Sequence, residues 1–197
     1  AQSRTERLLQ SVHPALRLVP DSGHLPLSDW VCDIMDLPEL MGARLDMPES
    51  LGQAHCIHAD PEVVQSLRTR LGPVRGLRVA LGWTGTRSSI AERSISLALF
   101  AELEWPGVEW FSLQYDDLSP EDQAAAQQMG MRQEKWSFDE AAAAMTLMDA
   151  VVTIDTVYAH LAGALGLAPW VLLNAQVDWR WQDMGGPNAW YPQARLL

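Results

Sequence analysis

The sequence is poor in the features that mark several common protein classes. Its 197 residues contain two cysteines, Cys32 and Cys56, with no CxxC pair, which excludes a disulfide-dense scaffold. The segment HCIH, His55 to His58, puts Cys56 and His58 on one face if it is extended. It lacks the second ligand pair that a structural zinc site needs. Two buried, reduced thiols are therefore expected. No apolar run approaches bilayer-spanning length, and the opening AQSRTERLLQ has no signal-peptide h-region, so the expected setting is cytoplasmic and without membrane insertion. Positive charge is scarce: Lys and Arg total 14 against 25 Asp and Glu, a net charge of -11. That balance argues against non-specific nucleic-acid binding, which needs a basic footprint, but leaves room for one small anion bound by local donors. Neither GxGxxG nor GxxxxGK[ST] occurs.

What is present is alternation. DPEVVQSLRTRLG is a helix, with Asp60 as its cap, Pro61 in its first turn and Gly72 at its stop. PVRG follows as a hinge, and a boundary is expected near residue 73. LRVALGW is then a strand and SISLALFAELEW a helix. VEWFSLQ is a strand, and SPEDQAAAQQMG a helix capped by Ser119. SFDEAAAAMTLMD opens with a capping box, Ser137 and Glu140. AVVTID, TVYAHLAGALG and PWVLLN read as strand, helix, strand. Strands alternating with helices predict an α/β, Rossmann-like parallel sheet with helices on both faces. Upstream, TERLLQSVHP is expected to be helical, ALRLVP and HCIHA to be strands, and LSDWVCDIMDLPELMG a helix broken or kinked at Pro38.

In such sheets ligands bind beyond the carboxyl ends of the strands. Four segments occupy those ends. In the first, Gly82, Trp83, Thr84 and Gly85 follow a strand, and Arg87, Ser88, Ser89, Arg93 and Ser94 follow them. Glycines admit a close ligand and arginines suit phosphate; the other reading is a solvated loop. In the second, Gln114 ends a strand, where it serves either as an amide reader or as a turn residue. In the third, Asp155 and Thr156 stand where a strand becomes a helix, with His160 one turn on and on the face of Thr156. Thr156 and the first-turn N–H groups suit a phosphate, Asp155 either accepts from a sugar hydroxyl or caps the helix, and His160 is either a ligand contact or a packed residue. In the fourth, Trp179, Trp181, Trp190 and Tyr191 form either a stacking wall for a base or sugar or a packed aromatic region, with Arg180 placed to stack on a tryptophan.

Taken together, GWTG…RSISLALFAEL…PGVEWFSLQ, DAVVTIDTVYAHLAGALGLAPWVLL, DWRW and WYP resemble one bacterial group. It comprises the glycosyltransferase-like C-terminal regions of tetratricopeptide-repeat proteins. These are related to the lipopolysaccharide heptosyltransferases of glycosyltransferase family 9 and, more distantly, to O-linked N-acetylglucosamine transferases. The resemblance covers residues 73–197 well. Residues 1–72 resemble, more loosely, the second half of the N-terminal domain of that group. It implies a GT-B architecture: a C-terminal Rossmann-like domain, 73–197, that binds a nucleotide-sugar donor, preceded by a partial acceptor-side α/β domain, 1–72. Carried over, Gly82, Trp83, Thr84, Gly85, Arg93 and Ser94 line the cleft, Gln114 lies beside the donor, and Asp155, Thr156 and His160 contact its diphosphate or sugar. No metal and no cofactor beyond the donor is implied.

The sequence also departs from that group. Relatives often read WAGNP and SLQKG where this chain has WTGTR and SLQYDD; Tyr115, Asp116 and Asp117 remove positive charge near the expected phosphate site. The first strands of the N-terminal domain, which carry the catalytic base in heptosyltransferases, are not in the sequence, and no catalytic residue is assigned. The expectation is the donor-binding portion of a longer glycosyltransferase, inactive by itself, with an unidentified glycan, lipid or protein acceptor. The alternative is a degenerate, non-catalytic binding module.

Overall fold

The computed structural model describes residues 5–19, 27–44, 56–85, 93–103, 105–181 and 188–197. Helices α1 (Glu6–Gln10), α2 (Leu37–Leu40) and α3 (Pro61–Leu71) come first. Then follow β1 (Leu77–Gly82), α4 (Leu97–Ala101), β2 (Val108–Ser112), α5 (Pro120–Gln128), α6 (Phe138–Met145), β3 (Ala150–Ile154), α7 (Val157–Ala164), β4 (Trp170–Leu172), a 3-10 turn (Trp179–Trp181) and β5 (Arg195–Leu196). The five strands form one sheet in the order β2-β1-β3-β4-β5, and every pairing is parallel. This is the Rossmann-like α/β fold that the strand–helix alternation predicts.

Side-chain alternation along the strands assigns the two faces. Val79, Leu81 and Trp83 pack with Leu97 of α4 and with Ala125 and Ala126 of α5 on one side. Ala80, Phe111 and Leu113 pack with α3 and α6 on the other, through Leu67, Leu71 and Ala141–Met145. Because both faces are covered, β1 is buried from Arg78 onward and reads as a continuous apolar run rather than an alternating one. Each Leu or Met that is fully buried here contributes roughly 1.5–3 kcal/mol. Arg78 is the charged exception. Its guanidinium donates to the Gly72 carbonyl at 2.8 Å and lies 3.5 Å from Glu109, a buried charge that is paired although its Nε has no hydrogen-bond partner among the described residues.

The helix starts follow their sequence signals. The side chains of Asp60, Ser119 and Ser137 accept from the backbones of Glu62, Asp122 and Glu140. Glu140 completes the capping box by accepting from Ser137 N at 3.0 Å, and Gly72 ends α3 at φ 76°. A cap of this kind is worth about 1 kcal/mol.

Other expectations need correction. ALRLVP is not a strand over its described residues, and Cys56 to Asp60 form no ladder; instead the Cys56 and Ile57 amides both donate to the Ala164 carbonyl. His55 lies outside the described residues. Both thiols are exposed rather than buried. The helix around Pro38 reduces to one turn, because Pro is accommodated only near a helix start. SISLALFAELEW yields only the five residues of α4. Within 1–72 no described residue lies in a strand of the sheet. The helix α3 packs against α6, and Leu8, Leu67 and Leu71 share the core of the sheet's face. No described helix is long and apolar enough to cross a membrane.

Candidate functional site

The strand order decides where a site belongs. From β1 the chain crosses to β2 on one side, then returns past β1 to β3 on the other. The two crossovers diverge at the carboxyl ends of β1 and β3, and a crevice opens at such a switch point. Gly82 ends β1 and is in register with Thr153 of β3. The two strand ends lie so close that a Cβ on Gly82 would sit 2.8 Å from Thr153 Oγ1. Glycine is required there by packing, whatever binds above it.

The first and third sequence segments meet at this rim, and Trp181 of the fourth joins them through Asp155. Thr84 and Ser94 share a hydroxyl–hydroxyl bond of 3.1 Å, and the Gly85 amide approaches Ser94 Oγ at 3.4 Å. The Ile95 amide donates to the Trp83 carbonyl. The loop after β1 therefore returns on itself and delivers Arg93 to the end of β3, where its guanidinium pairs with Asp155. Arg87, Ser88 and Ser89 lie outside the described residues. Trp83 does not line the rim: it is 1% exposed and sits in the core.

Asp155 and Thr156 divide the roles that the sequence left open. Thr156 is the cap of α7, its hydroxyl accepting from the Tyr158 amide at 3.3 Å and contacting Thr153 Oγ1 at 3.2 Å. Asp155 caps nothing. Its carboxylate is buried and shared among three groups: Arg93 on Oδ2, the Trp181 indole N–H at 2.7 Å on Oδ1, and His160 Nε2 at 3.8 Å. His160 stacks on Trp181 with ring centroids 4.8 Å apart. Burial, reinforced by the Arg180 charge, holds its imidazole below the usual pKa, against the opposing pull of Asp155 and Asp178. The shift favours the uncharged imidazole. Burial also pushes the phenols of Tyr158 and Tyr191 up to about 12, so both stay protonated.

The fourth segment supplies the flank. Trp181 is fully buried against Ala159 and Val171 and touches Tyr191, whereas Trp179 is 40% exposed and meets Trp190 edge-on. Arg180 does not stack on a tryptophan. It forms a fork with Asp178, through Nε at 2.8 Å and a second nitrogen at 3.1 Å, because a bidentate carboxylate is the stronger partner. That guanidinium also lowers the pKa of Asp178.

Gln114 follows the end of β2, its backbone N–H held by Ser112 Oγ. Its side-chain Nε2 is buried and has no acceptor among the described residues. The acidic loop beyond it regains a cation, since Lys135 reaches Asp117 at 2.6 Å. Lys135 and Thr153 were not singled out from sequence, and Trp181 was expected as a stacking surface rather than as a donor to Asp155. The apolar run ending at Asp155 placed Thr153 near a strand end; nothing local marked Lys135. No group of three or more metal-ligating side chains forms among the described residues.

No protein-family model matches the sequence, and no curated protein sequence matches it. The fold does have a solved counterpart. The chain is similar to the crystal structure of a glycosyl transferase family 9 protein from Veillonella parvula, with a TM-score of 0.55 and 16% sequence identity. The similarity covers 77% of this chain and 46% of that one, so it is a likeness of fold to somewhat less than half of a longer molecule.

Proposed function

We propose that this chain is the donor-binding portion of a glycosyltransferase, holding a nucleotide-sugar diphosphate at the switch point between β1 and β3. The observation that carries the reading is the convergence of the Gly82–Gly85 loop, Arg93–Ser94 and the capped start of α7 on one crevice. Free N–H groups at a helix start favour an anion. Arg93 brings a guanidinium to the same place. These fixed donors are what a departing nucleoside diphosphate requires as its charge develops. Gln114, with its unsatisfied Nε2, stands at the neighbouring strand end for the donor's polar edge. The likeness to a family 9 fold supports this assignment by analogy.

The arrangement also limits what Arg93 does. One of its nitrogens is committed to Asp155, so the pair is close to neutral overall. A phosphate is then bound chiefly by backbone N–H groups and hydroxyls, with Arg93 oriented by Asp155 rather than free. Calorimetry against a panel of nucleoside diphosphates tests the reading. Binding of at least one, weakened about tenfold or more by Arg93→Ala, is expected for a charge-assisted contact. A folded protein that binds none of them refutes it.

A second reading, a non-catalytic interaction module, is favoured by one observation: the Arg93 charge is already countered within the chain. It predicts that Arg93→Ala and Thr156→Ala leave partner binding unchanged. Loss of sugar transfer by the intact protein on either change decides against it.

A further inference from the structure

Beside the rim, a second cavity is framed by two distant parts of the chain. Met35, Pro38, Glu39 and Arg44 form one side, and the edge-to-face corner of Trp179 and Trp190 forms the other. Its volume is about 400 Å³, within the roughly 300–1,000 Å³ typical of small-ligand sites. Trp179 belongs to the same turn as Trp181, whose indole bonds to Asp155, so the cavity lies one turn of chain from the proposed diphosphate site.

Three features define what would fit. Two indoles at right angles offer an apolar wall that is still 40% exposed at Trp179, suited to a rigid ring with a C–H face. Glu39 supplies carboxylate oxygens that accept from hydroxyl groups. The indole N–H of Trp190 is buried without an acceptor among the described residues. An apolar face combined with a carboxylate acceptor, with Glu39 and Arg44 balancing each other in charge, is the chemistry of a neutral saccharide rather than of a phosphate.

We infer that this cavity binds a neutral sugar ring, the glycan of the acceptor. The assignment of that ring to the acceptor rests on the transferase reading above; the sugar site itself does not. The experiment is saturation-transfer NMR on the full chain without nucleotide, using a panel of neutral hexoses, N-acetylhexosamines, heptoses and their short oligomers. Transfer to the ring protons of at least one sugar is expected. Trp179→Ala should weaken that binding about tenfold, as truncating an aromatic anchor does. Trp190→Phe, which keeps an aromatic ring and removes the N–H, should weaken it less. Circular dichroism of each variant establishes that it is folded. No transfer from the folded protein to any sugar overturns the inference, as does transfer that Trp179→Ala leaves unchanged. Nucleoside protons that lose contact in Trp179→Ala would overturn it in favour of a base. Calorimetry with nucleoside diphosphates on the same samples separates failure here from failure of the donor site.

Discussion

Arg93 and Asp155 stand 62 residues apart in sequence and form an ion pair at the end of β3, with the carboxylate 7% exposed and the guanidinium 27%. The pair joins the loop after β1 to the turn before α7, and Trp181 holds the other carboxylate oxygen. Arg93→Ala leaves a buried charge short of a partner and is expected to lower stability by about 1–3 kcal/mol. Asp155→Ala removes the need for the partner, so the double variant should lose less than the sum of the two single ones. Urea unfolding of all four proteins measures the coupling, and strict additivity would mean that the pair contributes nothing as a pair.

The imidazole of His160 gives a pH dependence with a definite sign. Its folded pKa lies below the ordinary 6.5, chiefly through burial, so just under pH 6.5 the unfolded chain binds more protons than the folded one. The stability this contributes is complete above about 6.5 and declines as pH falls from there toward the folded pKa. His160→Phe keeps the stack on Trp181 and removes the titration. Thermal midpoints of the two proteins between pH 7.5 and about 5 should therefore converge or cross as pH falls. A constant offset would show that His160 does not titrate across this range.

Gly82→Ala brings a methyl group within 2.8 Å of Thr153 Oγ1. Thr153 is fully buried and β-branched, so it has little freedom to yield. Overpacking of this kind costs about 1–3 kcal/mol. Adding Thr153→Ala removes the obstructing oxygen and should restore part of the loss. Chemical denaturation of the single and double variants checks this, and an equal loss with and without Thr153 would locate the problem elsewhere.

Gly163 sits inside α7, where an alanine would ordinarily gain about 1 kcal/mol of helix propensity. The ring of Tyr191 lies directly over it, and a Cβ would overlap the ring. Gly163→Ala should therefore destabilise the protein, and displace Tyr191 from its contacts with His160 and Trp181. Near-ultraviolet circular dichroism reports the aromatic change and urea unfolding the energy. A stabilised variant with an unchanged aromatic spectrum would contradict the packing.

The sequence announced the sheet well because its signals are local. Asp60, Ser119 and Ser137 cap helices where their side chains reach the backbone two or three residues on. The apolar runs of β1 and β3 are short and bounded by polar turns. What misled was equally local: ALRLVP alternates, yet Ala15 and Leu16 are tied into a turn around His13, and no strand among the described residues pairs with it. At the rim, a strand-end argument placed Gly82, Gln114, Asp155 and Thr156 on one side of the sheet, since parallel strands leave it no choice. It could not say that Trp83 turns inward, that Arg93 closes on Asp155, or that Trp181 takes the second oxygen. Those depend on where a loop returns and on a turn some 26 residues beyond Asp155, and no short pattern encodes such returns.

The four alanines of α6, Ala141 to Ala144, are all but fully buried between α3 and the sheet. Their side chains end at a methyl group, so they determine how thin that layer is. The clearance between the first part of the chain and the sheet is thus set by spacing at its centre, with the Arg70–Glu140 ion pair joining α3 to α6 at the edge. A larger side chain at one of these positions would thicken the layer and carry α3 outward as a unit. The placement of everything joined to α3 is, in that sense, a matter of gauge: it is regulated by four methyl groups.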